Sequence, residues 1–234
     1  MKSASDMNVV PMSSLAQFIH YIESLQEIVT KPLFRGQGRR RNLIPSIARK
    51  SPGEDTESRE RRMLRQFRLQ GASMLTPKLT ELELLVIAQH FGMKTRLLDW
   101  TTNPLAALWF ACSSRQDGDV YVYMLNADSF QEQDIYDKSP FEHGQTLVFQ
   151  PQLDNPRVLA QNGWFTLHRY AGSSHAFVPL EQQGQMRGKL SELAIPEAQR
   201  PSMLKSLLLM GVDDRTMYPG LEGLGISLNK VFVA

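Results

Sequence analysis

Two short stretches of this chain carry more chemistry than a fold requires. In Leu33-Phe34-Arg35-Gly36-Gln37 an arginine stands among apolar neighbours, the pattern of a core strand whose end turns a guanidinium into a cleft. That guanidinium needs an acceptor, and two stay open: a core carboxylate such as Asp99, or a phosphate, which the planar fork of N–H donors grips bidentately. Gly36 would let backbone come close to such a ligand, because no Cβ intervenes. Beyond Gly38, the residues Arg39, Arg40 and Arg41 crowd three guanidiniums into one loop. An anion relieves their repulsion, either the outer phosphate of a small ligand or a nucleic acid. The second stretch runs from Gln89 to Pro104. It gathers Gln89, His90, Thr95, Arg96, Asp99, Trp100, Thr101, Thr102 and Asn103 at the end of one helix, along one strand and at the start of another helix. It reads either as a site at a strand end or as internal pairing, with Arg96 on Asp99, Asn103 as a cap and His90 packed in the core.

These residues need elements to hold them. Ser14 and Gln17 predict a capping box and a helix over 14–29, ended by Pro32. LFRGQ reads as a strand running into a loop, and 56–70 and 81–92 read as helices, the second closed by Gly92. A buried strand over 95–101 leads through the Asn103-Pro104 cap into a helix along PLAALWFACSS. A turn at 116–119 feeds the strand VYVYML, and further strands are expected at 146–150 and 163–170. Residues 201–210 and YPGLEGLGISLNK look helical, and the polar segment 171–188 suits a mobile surface loop. Strands early and late with three helices between them favour an α+β fold, one domain over 31–234 with a helix of segment 1–30 packed on it.

Composition narrows the function. The net charge is only +2, yet residues 31–70 hold twelve Lys/Arg against four Asp/Glu, an excess of +8 that leaves −6 for the rest. Part of that excess is the solvated face of helix 56–70. A single cysteine, Cys112, excludes an intramolecular disulfide and a multi-cysteine zinc site. The histidines, His20, His90, His143, His168 and His175, are scattered, so no metal site is expected. No Walker loop, dinucleotide fingerprint or nucleophile elbow is present in the sequence. The longest apolar run falls far below the ~20 residues that span a bilayer, and the opening residues lack a signal-peptide core, so a cytoplasmic protein with no membrane partner is expected.

FRGQ, LIPSIAR, AQHFGMKTRLLDWTTNPLAALWFAC, DGDVYVY, PRVLAQNGWFTLH and GVDDRTMYPGLEGL together resemble the FRG-domain family, named for its Phe/Tyr-Arg-Gly motif. A more remote resemblance is to ADP-ribosyltransferases of the arginine–serine–glutamate class. There an aromatic-Arg-Gly strand is followed by a strand ending in Ser-Thr-Ser and a helix with an A-x-x-F pattern; here FRG, Trp100-Thr101-Thr102 and Ala107/Phe110 stand in that order. The resemblance implies an ADP-ribosyltransferase-like mixed sheet with C-terminal helices and NAD as substrate. It also implies a toxin of a bacterial or phage defence system, with a neutralising antitoxin and an RNA, DNA or protein acceptor. Arg35, Gly36, Gln37, Thr95, Arg96, Thr101 and Thr102 would hold the nucleotide, with Arg39, Arg40 and Arg41 meeting nucleic acid. The glutamate of that class has no clear match: Glu142 precedes one strand, and Gln161 occupies the comparable late-strand region. A neutral amide gives a developing cation less support than a carboxylate does. Asp99 or His90 would assist, the first as an anion and the second as a proton acceptor. The alternative is a binding module that senses a nucleotide or nucleic acid in the same cleft without catalysis.

Overall fold

The computed structural model describes residues 7–49, 55–130, 135–152, 156–172 and 176–233. His175 lies outside the described residues. Strand β1 is Asn8–Pro11, and helix α1 is Leu15–Leu25, whose Ser14 hydroxyl accepts the Gln17 N–H. Strand β2, Pro32–Gln37, precedes helices α2 (Thr56–Gln70) and α3 (Glu81–His90). Thr80 and Glu83 close a capping box at the start of α3, and Gly92, with φ of 88°, follows its last turn. Strand β3, Leu97–Thr101, runs through the Asn103 cap into α4, Pro104–Cys112. Then come β4 (Val120–Asn126), β5 (Leu147–Phe149), α5 (Pro156–Ala160) and β6 (Gly163–Leu167). The ribbon β7 (Tyr170–Ala171) and β8 (Ala176–Phe177) leads to β9 (Leu190–Ile195), and α6 (Arg200–Leu209), α7 (Asp214–Met217) and α8 (Leu221–Phe232) follow.

Seven strands form one mixed sheet in the order β1-β9-β4-β2-β3-β6-β5, with β1 parallel to β9 and the other neighbours antiparallel. The fold is α+β. Side chains alternate across a strand, and the buried clusters follow that alternation. Phe34, Val122 and Leu193 pack with α1, α4 and α6. Leu97, Phe149 and Phe165 pack under α2 and α3. Leu33, Leu98, Trp100, Leu125 and Val148 form a further core with Leu43, Leu180 and Met186. Helices α1, α4 and α6 therefore cover one end of the sheet and α2 and α3 the other, and the two layers meet at β2 and β3. That junction is thin: β2 pairs with β4 over six residues and β3 with β6 over five, whereas β2 meets β3 only at Phe34 and Thr101.

Several expectations change. The described part of segment 171–188 does not all lie at the surface: Leu180 and Met186 are 0% and 2% exposed and pack into the core beside Trp100. The strand expected over 163–170 ends at Leu167, the helix over 14–29 ends at Leu25, and β1, α5 and β9 are additions. Residues 8–30 are built into the domain, β1 through β9 and α1 through fully buried Phe18.

Candidate functional site

Past Phe34 and Thr101 the ladder between β2 and β3 stops, and backbone groups on the facing edges need other partners. Arg35 supplies one. Its Nη1 donates to the Asp99 carbonyl oxygen at 2.7 Å and lies 3.6 Å from Asp99 Oδ2. A side chain thus bridges the gap where a strand-to-strand hydrogen bond is missing. Around this bridge lies a cleft of about 310 Å³ walled by Arg35, Gly36, Asp99, Thr101, Phe110, Arg157 and Gln161. A smaller recess of about 120 Å³ extends it past Gln89, His90 and Trp164, sharing Asp99, Trp100, Arg157 and Gln161. In the other direction, Arg35 and Gly36 also line an arm of about 260 Å³ with Gln37, Arg39, Arg41, Arg49 and Ser114. A larger apolar groove beside Met63, Phe67 and Phe91 touches this system only near His90 and holds none of its charged groups.

Each wall residue is held by its element. Gln89, at the end of α3, donates from Nε2 to Asp99 Oδ1 at 2.7 Å. Its Oε1 accepts the Thr95 hydroxyl, which in turn accepts the Leu97 N–H at 3.1 Å. Asp99 is thereby aimed from two sides while 64% of its side chain stays exposed. Asn103 Oδ1 accepts the N–H groups of Leu105 and Ala106, fixing the start of α4, which presents Phe110. Arg157 on α5 stacks over the Tyr218 ring at 4.7 Å and stands 4.0 Å from Glu222.

Electrostatics follow the packing. Burial lowers the proton affinity of Arg35, with Asp99 opposing that change and Arg49 adding to it. Burial, then Arg157, moves His90 below the usual imidazole range, so it is neutral at pH 7 and able to accept a proton. Cys112 is 2% exposed, and burial pushes its thiol up to about 12, which removes it as a nucleophile.

The structure brings Arg35, Gly36, Asp99, Thr101 and Gln161 onto one cleft, with His90 in its recess and Gln37, Arg39 and Arg41 in its arm. Others stand elsewhere. Arg96 does not pair with Asp99; it is 1% exposed and bonded to Glu60 at 2.8 Å and Glu57 at 3.0 Å, under the Phe141 ring. Thr95 is wholly buried and spent on Gln89. Neither lines the cleft. Thr102 is exposed outside it, its N–H donated to the Asn162 carbonyl. Arg40 leaves its neighbours to meet Glu192, itself 1% exposed, at 3.1 Å. Thr101 lines the cleft, but its hydroxyl donates to the Gln161 carbonyl and accepts the Asn103 N–H. Gln161 is in the turn between α5 and β6, not on a strand, and its Nε2 donates to Met217 O at 3.0 Å. Gly36 has a structural reason as well: a Cβ there would lie 2.0 Å from the Ala107 carbonyl oxygen, so α4 already fills that space. Arg49 and Arg157 were missed as site residues. Their only signal was position inside the LIPSIAR and PRVLAQ blocks.

Residues 30–120 match the family model described as FRG domain. The matched span includes Arg35, Arg49, Asp99, Thr101 and Phe110, while Arg157 and Gln161 lie beyond it. No curated protein and no solved structure matches the chain.

Proposed function

Taking the FRG domain as premise, we propose that the split between β2 and β3 is an NAD site and that the protein transfers ADP-ribose from NAD to an acceptor. The observation carrying this reading is that Arg35 of β2, Thr101 of β3 and Gln161 of the turn between α5 and β6 wall one cleft of about 310 Å³. With one donor engaged on the Asp99 carbonyl, the Arg35 guanidinium retains N–H groups for a diphosphate. Phe110 and Trp100 supply flat walls for the nicotinamide ring. Cleavage breaks the bond from C1′ of the ribose to the nicotinamide nitrogen. The electron pair stays on that nitrogen and cancels its positive charge, leaving an oxocarbenium at C1′. Asp99, the carboxylate among the cleft walls, favours that cation electrostatically. The acceptor nucleophile, from nucleic acid or protein, then bonds to C1′ and gives up its proton to neutral His90 or to water.

A second reading, nucleotide binding without turnover, is favoured by one feature. Asp99 is already paired with Arg35, and the third landmark is neutral Gln161, so the cleft has no uncommitted carboxylate among its described walls. Incubating the protein with NAD and candidate acceptors, and measuring both nicotinamide release and NAD affinity, separates the readings. Transfer predicts nicotinamide release that falls at least ~100-fold in Arg35→Ala. NAD binding without release supports the sensor. Absence of both binding and release refutes both.

A further inference from the structure

The arm beyond Arg35 differs in kind from the cleft it joins. Arg39, Arg41 and Arg49 converge on it, and among the described residues no carboxylate forms an ion pair with any of the three. Arg49 is steadied by its Nε donating to the Ile44 carbonyl at 3.2 Å. Burial lowers the proton affinity of Arg49, the charge of Arg41 lowers it further, and Asp99, acting more weakly, opposes both. Like charges gathered with no carboxylate in ion-pair contact carry a repulsion that a bound anion reduces.

A second observation is independent of charge. Gln37, 8% exposed, lines this arm, and its Nε2 is buried with no hydrogen-bond partner. A buried amide N–H left unpaired costs free energy until an acceptor arrives. The arm's described walls are guanidiniums, amides, glycines and Ser114, and among them is no aromatic ring on which a base could stack. Rich in donors, and with no acid or stacking ring among its described walls, the site fits an oxygen-rich anion and not a ring.

We propose that this arm is a phosphate-monoester subsite, seating a terminal phosphate distinct from the diphosphate held at Arg35. The inference rests on the nucleotide reading of the adjoining cleft and sharpens its substrate class. Guanidiniums on several sides favour the dianionic monoester, which offers three peripheral oxygens, over a bridging diester with two. The phosphate has two possible sources: a 2′-phosphate on the dinucleotide itself, or the phosphorylated end of an acceptor strand.

Paired probes distinguish them in calorimetric titrations of the full chain. Adenosine 2′,5′-bisphosphate is compared with 5′-AMP, and a short oligonucleotide bearing a 5′-phosphate is compared with its 5′-hydroxyl form. NAD is titrated in parallel. The phosphorylated member of at least one pair should bind at least about tenfold more tightly. The double variant Arg41→Ala/Arg49→Ala should abolish that preference. Arg62→Ala/Arg65→Ala, which removes the same net charge from α2, should retain it. Preference in the nucleotide pair assigns the 2′-phosphate, and preference in the oligonucleotide pair assigns the acceptor end. No preference in either pair, or equal loss in both double variants, overturns the proposal. If NAD binds but neither pair discriminates, the subsite falls and the NAD reading stands. If a pair discriminates while NAD does not bind, the subsite stands and the NAD reading falls.

Discussion

Replacing Gly36 by alanine tests whether the central glycine of the motif serves packing or ligand approach. An ideal Cβ at this position lies 2.0 Å from the Ala107 carbonyl oxygen and 2.7 Å from the Ala111 nitrogen, both backbone atoms of α4. The first distance is about 1.4 Å short of the 3.4 Å at which ordinary contact begins, so no side-chain rotation relieves it. The helix itself has to move. Its Ala106, Ala107, Leu108 and Ala111 are all at most 1% exposed, so the displacement opens gaps in the core around Phe34 and Val122. Overpacking of this kind costs ~1–3 kcal/mol, and a backbone clash belongs at or above the upper end. For a chain of this size ~3 kcal/mol lowers Tm by roughly 6–12 °C. Differential scanning calorimetry and urea unfolding of wild type and Gly36→Ala measure it. A variant that melts within about 2 °C of wild type while losing nucleotide binding would refute the packing argument and restore the close-approach role of the glycine.

Arg96→Met should destabilise the fold by ~3–5 kcal/mol, because Glu60, 0% exposed, loses its guanidinium; adding Glu60→Leu should recover much of the loss, as urea titrations would show. His168 is 1% exposed, and burial, with Arg35 and Arg96 nearby, holds its imidazole at about 3 against 6.5 when exposed. Between those values the unfolded chain binds the extra proton, so stability is complete above pH 6.5 and declines as pH falls, by at most ~5 kcal/mol near pH 3. Unfolding free energies from pH 7 to 4 should show that slope in wild type and lack it in His168→Asn; equal slopes would remove His168 as the cause. Asp99→Asn keeps an acceptor for Gln89 and removes the charge facing Arg35, so stability should change by less than ~1 kcal/mol at this exposed position. The same change should tighten nucleotide binding and, under the transfer reading, slow nicotinamide release; weaker binding would contradict the assigned charge balance.

Much of this architecture is legible in the sequence because local signals agree with it. The Asn103-Pro104 pair places α4 without ambiguity, the Thr80/Glu83 box starts α3, and VYVYML forms a strand as its β-branched and aromatic content requires. β9 is illegible for a physical reason. LSELAI puts Glu192 at an inward position, 1% exposed, where Arg40, 152 residues away in sequence, pairs with it and the Tyr123 side chain hydrogen-bonds to it. A long-range ion pair of that kind leaves no periodic trace. Arg96 misled in the same way: it stands three residues before Asp99, yet successive strand positions alternate faces, so the two point apart and Arg96 finds Glu60 on α2 instead. Arg35, whose partner was open between a carboxylate and a ligand, has Asp99 as that partner and still lines a cleft.

The sheet's one-residue junction explains why an arginine and no other side chain suits this position. Where β2 parts from β3, the Asp99 carbonyl loses its strand partner, and a donor has to reach it from a distance. A lysine ammonium could reach as a point charge, but its three donors diverge from one atom. A guanidinium holds five donors in a rigid plane, so one can fix the carbonyl while others stay available to a second acceptor. Closing the sheet and gripping an anion thus become two uses of one planar group. A bound anion then inherits the rigidity of β3, because the atom that steadies the guanidinium belongs to a strand paired over five residues with β6.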